Sequence, residues 1–593
     1  MIAALLLAAA RPAPAPSIAM PHIRYLGILP ELVMLGGAIL LLGVASLVRR
    51  PLRVTVATAG TVAISGTALG LALWQWADVL DHGAYTTVDR AVVVDGFSVL
   101  VTILVSCAML LSALAGDGYL RREGIDGPEF HVLAMVSASG AMLMGGANDL
   151  IIVFLGLEIL SIALYVLAAF NHRRSASAEA ALKYFILGGF SSAIFVYGIA
   201  LTYGATGTTN LNQIADFLAR NVVTSNGLLL AGLALLLVGF AFKVAAVPFH
   251  MWTPDVYQGS PSPVTGFMAA VAKAGGFAAL LRVLISSFGL LRADWQPIVY
   301  ALAVLTLVVG AGLAVVQRDV KRMLAYSSIN HAGFVLVALQ AATARGVSAS
   351  LYYLFAYMFM VIGTFAVVTY VGREGDVGHE LTAYRGLARR QPLLAFALAV
   401  LLLAQAGAPI TTGFLAKLQV VVASVDAHSV PLAVIAMATA ALAAFFYLRL
   451  VVLMYSPATP RPAAGAATAR AASPPSSSLQ LAPGLAGASA GAPAPHGDGD
   501  GAALPVWAGT ERSVAVATRL NAELLLETEP LPVPATVPAA AGQAEAEAEG
   551  GPVEVPWAAA VAIGLCVAVT VVFGVIPGPV VDFAHKATLF FIP

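Results

Sequence analysis

The run FKVAAVPFHMWTPDVYQGSPSPVTGFMAAVAKAGGF, residues 242–277, joins two apolar stretches that each contain a lysine. Lys243 lies in the first stretch and Lys273 in the second, and Pro248 follows closely after Lys243. Proline removes a backbone donor and clashes with the preceding turn, so a helix that reaches it must end or bend. In lipid, the carbonyls that such a break frees must find partners inside the protein. The run therefore predicts a broken membrane helix followed by a second membrane helix with an intramembrane lysine.

The composition of the whole chain supports a membrane location. Of its 593 residues, 60% are hydrophobic and 10% are charged, whereas a soluble protein has about 25% charged residues. This excludes a soluble enzyme, a disordered chain and a nucleic-acid-binding protein, and it predicts a polytopic protein in a lipid bilayer. The two cysteines, Cys107 and Cys566, lie in apolar runs without ligand spacing, so neither a metal site nor a disulfide is expected.

Apolar runs of about 20 residues, the length that spans a bilayer, predict fourteen helices. Lys and Arg are concentrated in the loops that follow the odd-numbered helices, which places those loops in the cytoplasm and both chain termini outside. The predicted spans lie at 30–48, 54–76, 93–115, 130–147, 149–170, 180–204, 226–247, 263–287, 296–316, 321–341, 348–371, 392–424, 429–455 and 555–576.

The twelfth predicted span carries a second set of helix breakers. It contains AQAGAPITTGFLAKLQ, residues 404–419, with Gly407, Pro409 and Gly413 in mid-span and Lys417 shortly after them. Two interrupted spans at corresponding positions are typical of transporters built from inverted repeats. We therefore predict two inverted five-helix repeats, although an ordinary proline kink in each span is the alternative.

The predicted organisation follows from these spans and from one compositional change. Residues 456–554 are rich in Ala, Pro, Gly and Ser, a composition that cannot bury enough apolar surface to fold. The predicted parts are an N-terminal tail at 1–29, helices 1 to 4 at 30–147, a first repeat at 149–287, a second repeat at 296–424, helix 13 at 429–455, a cytoplasmic linker at 456–554, and helix 14 with the C-terminal tail at 555–593.

Five ionisable residues lie well inside predicted spans: Glu158, Lys243, Lys273, His331 and Lys417. A charge at mid-bilayer costs about 2.5–3.5 kcal/mol on insertion scales, so such residues are expected to pair and to be functional. Glu158 and Lys243 are the predicted pair. A desolvated lysine can release its proton near neutral pH, whereas arginine cannot. The five residues predict a proton path, with a static Glu–Lys clamp and a structural histidine as alternatives.

Other polar residues are weaker candidates. Those that could hold water along the path are Ser327, Ser328, Tyr326, Tyr352 and Tyr357. His250, expected at the cytoplasmic boundary, and Lys183, expected to reach the surface, are possible supporting residues. Asp95 and Arg282 lie near helix ends and are expected at the membrane interface.

Several long motifs resemble one family. Residues 242–277 do so, as do LKYFILGGFSSAIFVYGIALTYGATGT at 182–208, RDVKRMLAYSSINHAGF at 318–334, AYRGLARRQPLLA at 383–395 and GAPITTGFLAKL at 407–418. They are similar to the antiporter-like membrane subunits of respiratory NADH-quinone oxidoreductase, and among these to bacterial subunit N and its mitochondrial relative, NADH dehydrogenase subunit 2. The resemblance covers nearly the whole chain outside the N-terminal tail and the linker.

The resemblance implies an all-α fold with fourteen helices, two inverted five-helix repeats, and breaks in the seventh and twelfth helices. It implies that Glu158, Lys243, Lys273 and Lys417 carry the family's proton path, which is coupled to electron transfer from NADH to quinone. The chain itself would bind no cofactor, since NADH, FMN, the iron–sulfur clusters and quinone would be used by partner subunits of the same complex in a bacterial plasma membrane. A subunit of a cation/proton antiporter is the alternative function.

Overall fold

The computed structural model describes residues 23–125, 127–221, 226–457, 554–587 and 589. Most of the predicted N-terminal tail and nearly all of the predicted linker lie outside these ranges. Short turns of 3-10 or π helix occur at Tyr25–Ile28, Val283–Ser287, Gly289–Leu291 and Leu381–Tyr384. The helices and strands are α1 Leu29–Leu47, α2 Arg50–His82, β1 Tyr85–Thr87, β2 Val92–Val94, α3 Gly96–Arg122, α4 Glu129–Gly146, α5 Leu150–Ala168, α6 Ser175–Thr206, α7 Leu211–Arg220, α8 Gly227–Val244, α9 Trp252–Gly259, α10 Ser262–Arg282, α11 Arg292–Val315, α12 Val320–Gln340, α13 Ala344–Val371, α14 Leu387–Arg390, α15 Pro392–Ala406, α16 Thr412–Asp426, α17 Val430–Tyr455, α18 Trp557–Val575 and α19 Gly578–Lys586.

Eleven helical segments of the described ranges are long and apolar enough to cross a membrane. The predicted fold class, an all-α polytopic membrane protein, is therefore confirmed. The two strands form only a small antiparallel hairpin, with Tyr85 opposite Val94. Three further predicted spans are helical here as α4, as α12, and as the pair α15 and α16, but they are outside the eleven. The count of fourteen spans and the inverted repeats stay predictions.

The first interruption separates α8 from α9. Helix α8 ends at Val244, because Ala245 takes a left-handed conformation with φ 62°, and Pro248 lies in the non-helical segment that follows. Two backbone groups at this break have side-chain partners inside the protein, as lipid surroundings favour. The indole Nε1 of Trp252 donates to the carbonyl of Phe242 at 3.0 Å. The Val247 amide donates to a threonine hydroxyl of α11 at 2.9 Å.

The second interruption divides the predicted twelfth span into α15 and α16. Gly407 ends α15 with φ 93°, a conformation that glycine adopts without steric cost. Pro409 lies in the connecting turn, and the Thr411 hydroxyl caps α16 by accepting from the Phe414 amide at 3.4 Å. A Cβ atom on Gly413 would overlap the carbonyl oxygen of Ala404. Glycine at this position therefore lets the start of α16 pack directly on the end of α15.

Helix α10 lies at the centre of the bundle. Every one of its residues is buried, and it packs against α3, α4 and α13. Its C-terminal end is held by Arg282, whose guanidinium donates to both carboxylate oxygens of Asp95 at 2.9 Å and 2.8 Å. Both residues are 1% exposed. Pairing across α3 and α10 lets both charges be buried inside the protein, and the expected position of the two residues at the membrane interface stays a prediction.

Candidate functional site

Glu158 and Lys243 lie on α5 and in the last turn of α8, and serines stand between them. The Ser192 hydroxyl of α6 donates to the Glu158 carboxylate. The Lys243 Nζ donates to the Ser161 hydroxyl at 2.7 Å, and Ser161 lies one turn after Glu158 on α5. The ion pairs of the described ranges do not include one between Glu158 and Lys243. The predicted pair thus forms no direct salt bridge, and the hydrogen bond of Lys243 goes to Ser161.

A small cavity adjoins this group of side chains. Its volume is about 10 Å³, and Ser161, Ser192 and Lys243 contribute to its lining. A cavity of roughly 10–15 Å³ holds about one water molecule when polar partners surround it. The cavity can therefore hold a water molecule beside the hydroxyls that contact Glu158 and Lys243.

Lys273 lies in the middle of α10 and reaches across to α12. It is 4% exposed, and its Nζ donates to the backbone carbonyl of Ser328. The hydroxyl of Ser328 accepts from the Tyr357 hydroxyl at 2.7 Å and lies 3.3 Å from the Tyr257 hydroxyl. Lys273 is thus held by a neutral carbonyl oxygen next to a group of three hydroxyls.

His331 on α12 is bonded through both ring nitrogens. Its Nδ1 lies 2.7 Å from the Tyr353 hydroxyl, and its Nε2 lies 3.0 Å from the Tyr447 hydroxyl. Tyr447 also contacts the Ser327 hydroxyl, so a chain of hydrogen bonds runs from Ser327 through Tyr447 to His331. A hydroxyl can accept one proton while it donates another, and such a chain can therefore pass protons.

Tyr353 and Tyr447 were not among the residues predicted from the sequence. The signal for both was weak, since a tyrosine inside an apolar helix is expected to find a partner for its hydroxyl but the sequence does not say which one. Of the tyrosines that were predicted, Tyr357 joins the group around Lys273. The Tyr352 hydroxyl has no hydrogen-bond partner within the described ranges, and Tyr326 is buried but makes none of these contacts.

Lys417 on α16 forms hydrogen bonds across the second helix break. Its Nζ donates to the carbonyls of Gln405 and Ala406 at 2.9 Å and 2.8 Å. These carbonyls belong to the last turn of α15, where a cation is favoured by the unsatisfied backbone oxygens. The ammonium also lies 5.2 Å from the centre of the Phe334 ring. Phe334 lies one turn after His331 on α12. Lys417 therefore lies beside the segment of α12 that carries His331.

Two predicted supporting residues lie apart from this series. Lys183 is partly exposed and pairs with Glu179 at 2.6 Å and with Asp255 at 3.0 Å. His250 lies in the turn between α8 and α9, and its Nδ1 has no partner among the residues that the structure describes. The structure brings neither of them to the buried lysines.

The sequence profile described as "NADH:quinone oxidoreductase/Mrp antiporter, TM" matches residues 147–443. NADH-quinone oxidoreductase subunit N of Trichlorobacter lovleyi is 46% identical over 365 residues, which are 62% of this chain and 75% of that protein. Subunit N of Mycobacterium tuberculosis (strain CDC 1551 / Oshkosh) is 40% identical over 479 residues, 73% of this chain and 90% of that protein. A chain of respiratory complex I from Thermus thermophilus with bound aureothin superposes with a TM-score of 0.66 and 28% identity, covering 93% of this chain and 98% of that chain.

Proposed function

This chain belongs to the NADH-quinone oxidoreductase subunit N family, and from that membership we propose that Glu158 and three buried lysines form its proton path. The protein is a membrane-arm, proton-translocating subunit of a proton-pumping NADH-quinone oxidoreductase. It works together with the other subunits of that complex.

The observation that carries the proposal is the kind of partner each buried cation has. Arg282 bonds to the carboxylate of Asp95, and Lys321 bonds to the carboxylate of Asp376. In contrast, the hydrogen bonds from Lys243, Lys273 and Lys417 go to a serine hydroxyl and to backbone carbonyls.

A carboxylate partner stabilises the charged form of a cation, whereas a neutral oxygen does so far less. The lysines with neutral partners are therefore the ones that can lose a proton and regain it. Arginine could not replace them, because its guanidinium stays protonated. The cations with carboxylate partners are suited to holding helices together.

The proposed path follows the order of these contacts. A proton held at Glu158 and Lys243 passes to Lys273, whose helix packs closely against the stem of Lys243. A Cβ on Gly276, one turn after Lys273, would lie 3.3 Å from the Cγ of Lys243. From Lys273 the proton reaches the hydroxyls around Ser328, then the chain that ends at His331, and finally Lys417. Water completes the steps for which no direct hydrogen bond joins the described residues.

The partial exposure of Glu158 indicates that a partner subunit contacts this chain. It is only half-buried in the isolated chain, although it lies in the middle of α5. Its neighbours along the same helix, Ile151, Leu155 and Ile162, are all exposed. A carboxylate at mid-membrane does not face lipid. We propose that a neighbouring membrane-arm subunit covers this face of α5.

We assign no redox cofactor to this chain. NADH, FMN, the iron–sulfur clusters and quinone are proposed to be used by partner subunits. The chain is a multi-pass membrane protein, and we propose that it lies in a bacterial plasma membrane with both termini on the outer side. The distribution of Lys and Arg between the predicted loops supports this orientation.

The test is the proton yield of the assembled oxidoreductase. Lys243→Ala and Glu158→Ala are expected to lower NADH-driven proton uptake by inverted membrane vesicles. NADH oxidation by ferricyanide should persist, because it reports that the peripheral subunits are assembled. Lys586→Ala is the control, since Lys586 is an exposed lysine at the end of α19. Full proton uptake in both variants would refute the proposed path.

A second measurement distinguishes the alternative function, a cation/proton antiporter subunit, from the oxidoreductase subunit. Sodium-dependent proton exchange by membranes that contain this chain without the other subunits would favour the antiporter. Co-purification with flavin- and iron–sulfur-bearing subunits supports the oxidoreductase. Family membership favours the oxidoreductase, since relatives that are 40% and 46% identical are named subunit N.

A further inference from the structure

A single buried carboxylate joins several elements at the end of the bundle where α10 and α12 begin. Asp376 lies in the segment between α13 and α14, and its side chain is fully buried. Its Oδ1 accepts from the Ser262 hydroxyl at 2.7 Å and lies 2.9 Å from the Nε2 of His379. Its Oδ2 accepts from the Lys321 Nζ at 2.9 Å, from the Arg174 Nη1 at 3.1 Å and from the Ser262 amide at 3.1 Å.

These donors come from different helices. Ser262 is the first residue of α10, Lys321 lies in the first turn of α12, and Arg174 immediately precedes α6. The Lys321 Nζ also donates to the Ser260 carbonyl at 2.6 Å, and Arg174 reaches the Gly259 carbonyl at 3.4 Å. Both carbonyls stand at the end of α9, the short helix after the first break. The carboxylate thus ties together the starts of α6, α10 and α12 and the end of α9.

The same two helices meet again deeper in the bundle. Lys273 lies about three turns beyond Ser262 on α10, and Ser328 lies about two turns beyond Lys321 on α12. There the Lys273 Nζ donates to the Ser328 carbonyl. Because α-helices are stiff over two to three turns, an axial shift at the Asp376 end would be carried to the contact between Lys273 and Ser328.

We propose that Asp376 is a positioning residue that fixes the axial positions of α10 and α12 relative to each other, so that Lys273 meets Ser328. The inference rests on the proposed function, because the part of Lys273 in the proton path is itself proposed. Asp376 lies outside the membrane-spanning helices and touches none of the buried lysines of the path. It acts through the helices that carry Lys273 and Ser328.

The surroundings of Asp376 keep its charge constant. Burial raises the pKa of its carboxyl, but the charge of Lys321 and the bonds from His379 and Ser262 outweigh that effect and hold the pKa well below its usual range. The groups that face the carboxylate are thus cations and hydrogen-bond donors. A carboxylate that stays ionised can set helix positions at every working pH without carrying protons itself.

The experiment compares Asp376→Asn with Glu374→Gln in the whole oxidoreductase complex. Glu374 is an exposed acidic residue of the same segment. Asp376→Asn is expected to lower the rate of NADH-driven proton uptake about tenfold, since displacements of about 1 Å at a reacting group can cost up to a hundredfold in rate. Cryo-electron microscopy of the same variant should show the start of α10 displaced along α12. Glu374→Gln should match the wild type, and Asp376→Glu, which keeps the charge, should retain more proton uptake than Asp376→Asn.

Three results would overturn the proposal. The first is wild-type proton uptake in an assembled Asp376→Asn complex. The second is a shifted pH midpoint of proton uptake in Asp376→Glu, because that would make Asp376 a carrier. If Asp376→Asn blocks assembly, Ser262→Ala removes one hydrogen bond and leaves every charge in place. It should assemble and lower proton uptake roughly two- to tenfold, the range to which a lost bond of about 0.5–1.5 kcal/mol converts at 1.36 kcal/mol per factor of ten, and unchanged proton uptake is the third refuting result.

Lys273→Ala, measured in parallel, separates this inference from the proposed function. If Lys273→Ala pumps normally, the proton path is wrong whatever Asp376 does. If Lys273→Ala stops pumping while Asp376→Asn changes neither helix position nor proton yield, only the positioning role is wrong.

Discussion

Replacing Arg282 with alanine removes a guanidinium that is 1% exposed and that makes three buried hydrogen bonds. Two go to the Asp95 carboxylate, and the Nε donates to the Gly145 carbonyl at 2.9 Å. The variant takes this guanidinium away from the equally buried carboxylate of Asp95. Removing one partner of a buried pair costs about 3–5 kcal/mol, which lowers the ratio of folded to unfolded protein by a factor of roughly 10²–10⁴.

The loss of folding free energy should be much smaller when both charges of the pair are removed. Replacing a buried pair by neutral residues of similar volume is often harmless. Asp95 also caps α3 by accepting from the Ser98 amide at 2.8 Å, and asparagine caps helices about as well as aspartate. The double variant Asp95→Asn/Arg282→Met is therefore expected to lose about 1 kcal/mol or less, because the cap is retained and no charge is left behind.

The assay is the free energy of unfolding of the purified chain in mild detergent, titrated with sodium dodecyl sulfate. Arg449→Ala is the matched control, because Arg449 is exposed and donates to the Val315 carbonyl at 3.1 Å. It should change stability by about 0.5 kcal/mol or less. The reasoning is refuted if Arg282→Ala costs no more than this control, or if the double variant loses as much as Arg282→Ala.

Further variants test other contacts. Lys417→Arg should lower NADH-driven proton uptake by the assembled complex about tenfold or more, because arginine keeps its proton; undiminished uptake would contradict a carrier role. Tyr447→Phe removes the hydroxyl that joins a serine to His331, and we expect proton uptake to fall roughly tenfold while ferricyanide reduction stays constant. Gly407→Ala places a Cβ 3.1 Å from the Lys417 Cδ at φ 93°, so it should destabilise the chain by about 1–2 kcal/mol, whereas Gly66→Ala, with open space around its Cβ, should not. Because the folded-state pKa of Asp376 is depressed, its stabilisation should be complete at pH 7 and fall only below about pH 3.9, the unfolded pKa; a difference in unfolding free energy between wild type and Asp376→Asn that does not shrink in acid would contradict this.

Local features of the sequence predicted much of the fold. Apolar runs of sufficient length indicate membrane helices wherever they occur, because the bilayer acts on each segment separately. Pro248, Gly407 and Pro409 mark interruptions for an equally local reason, since they affect the backbone of their own turn. The predicted span at 392–424 is two helices for the same reason. The five ionisable residues could also be identified from the sequence, because the number of residues between each of them and the ends of its predicted span can be counted.

The partners of these residues were decided by the tertiary structure alone. The sequence could not show that Lys243 contacts Ser161 instead of Glu158, or that Tyr447 joins Ser327 to His331, because these contacts connect helices far apart in the chain. The sequence shows that Arg282 lies near a helix end, but only the tertiary structure shows that Asp95, at the start of another helix, makes its burial possible. A lysine's capacity to release a proton depends on whether its neighbours are carboxylates or neutral oxygens. The sequence by itself therefore determined where charges enter the membrane, and the packing of distant helices decided which of them bond to carboxylates and which donate their hydrogen bonds to neutral oxygens.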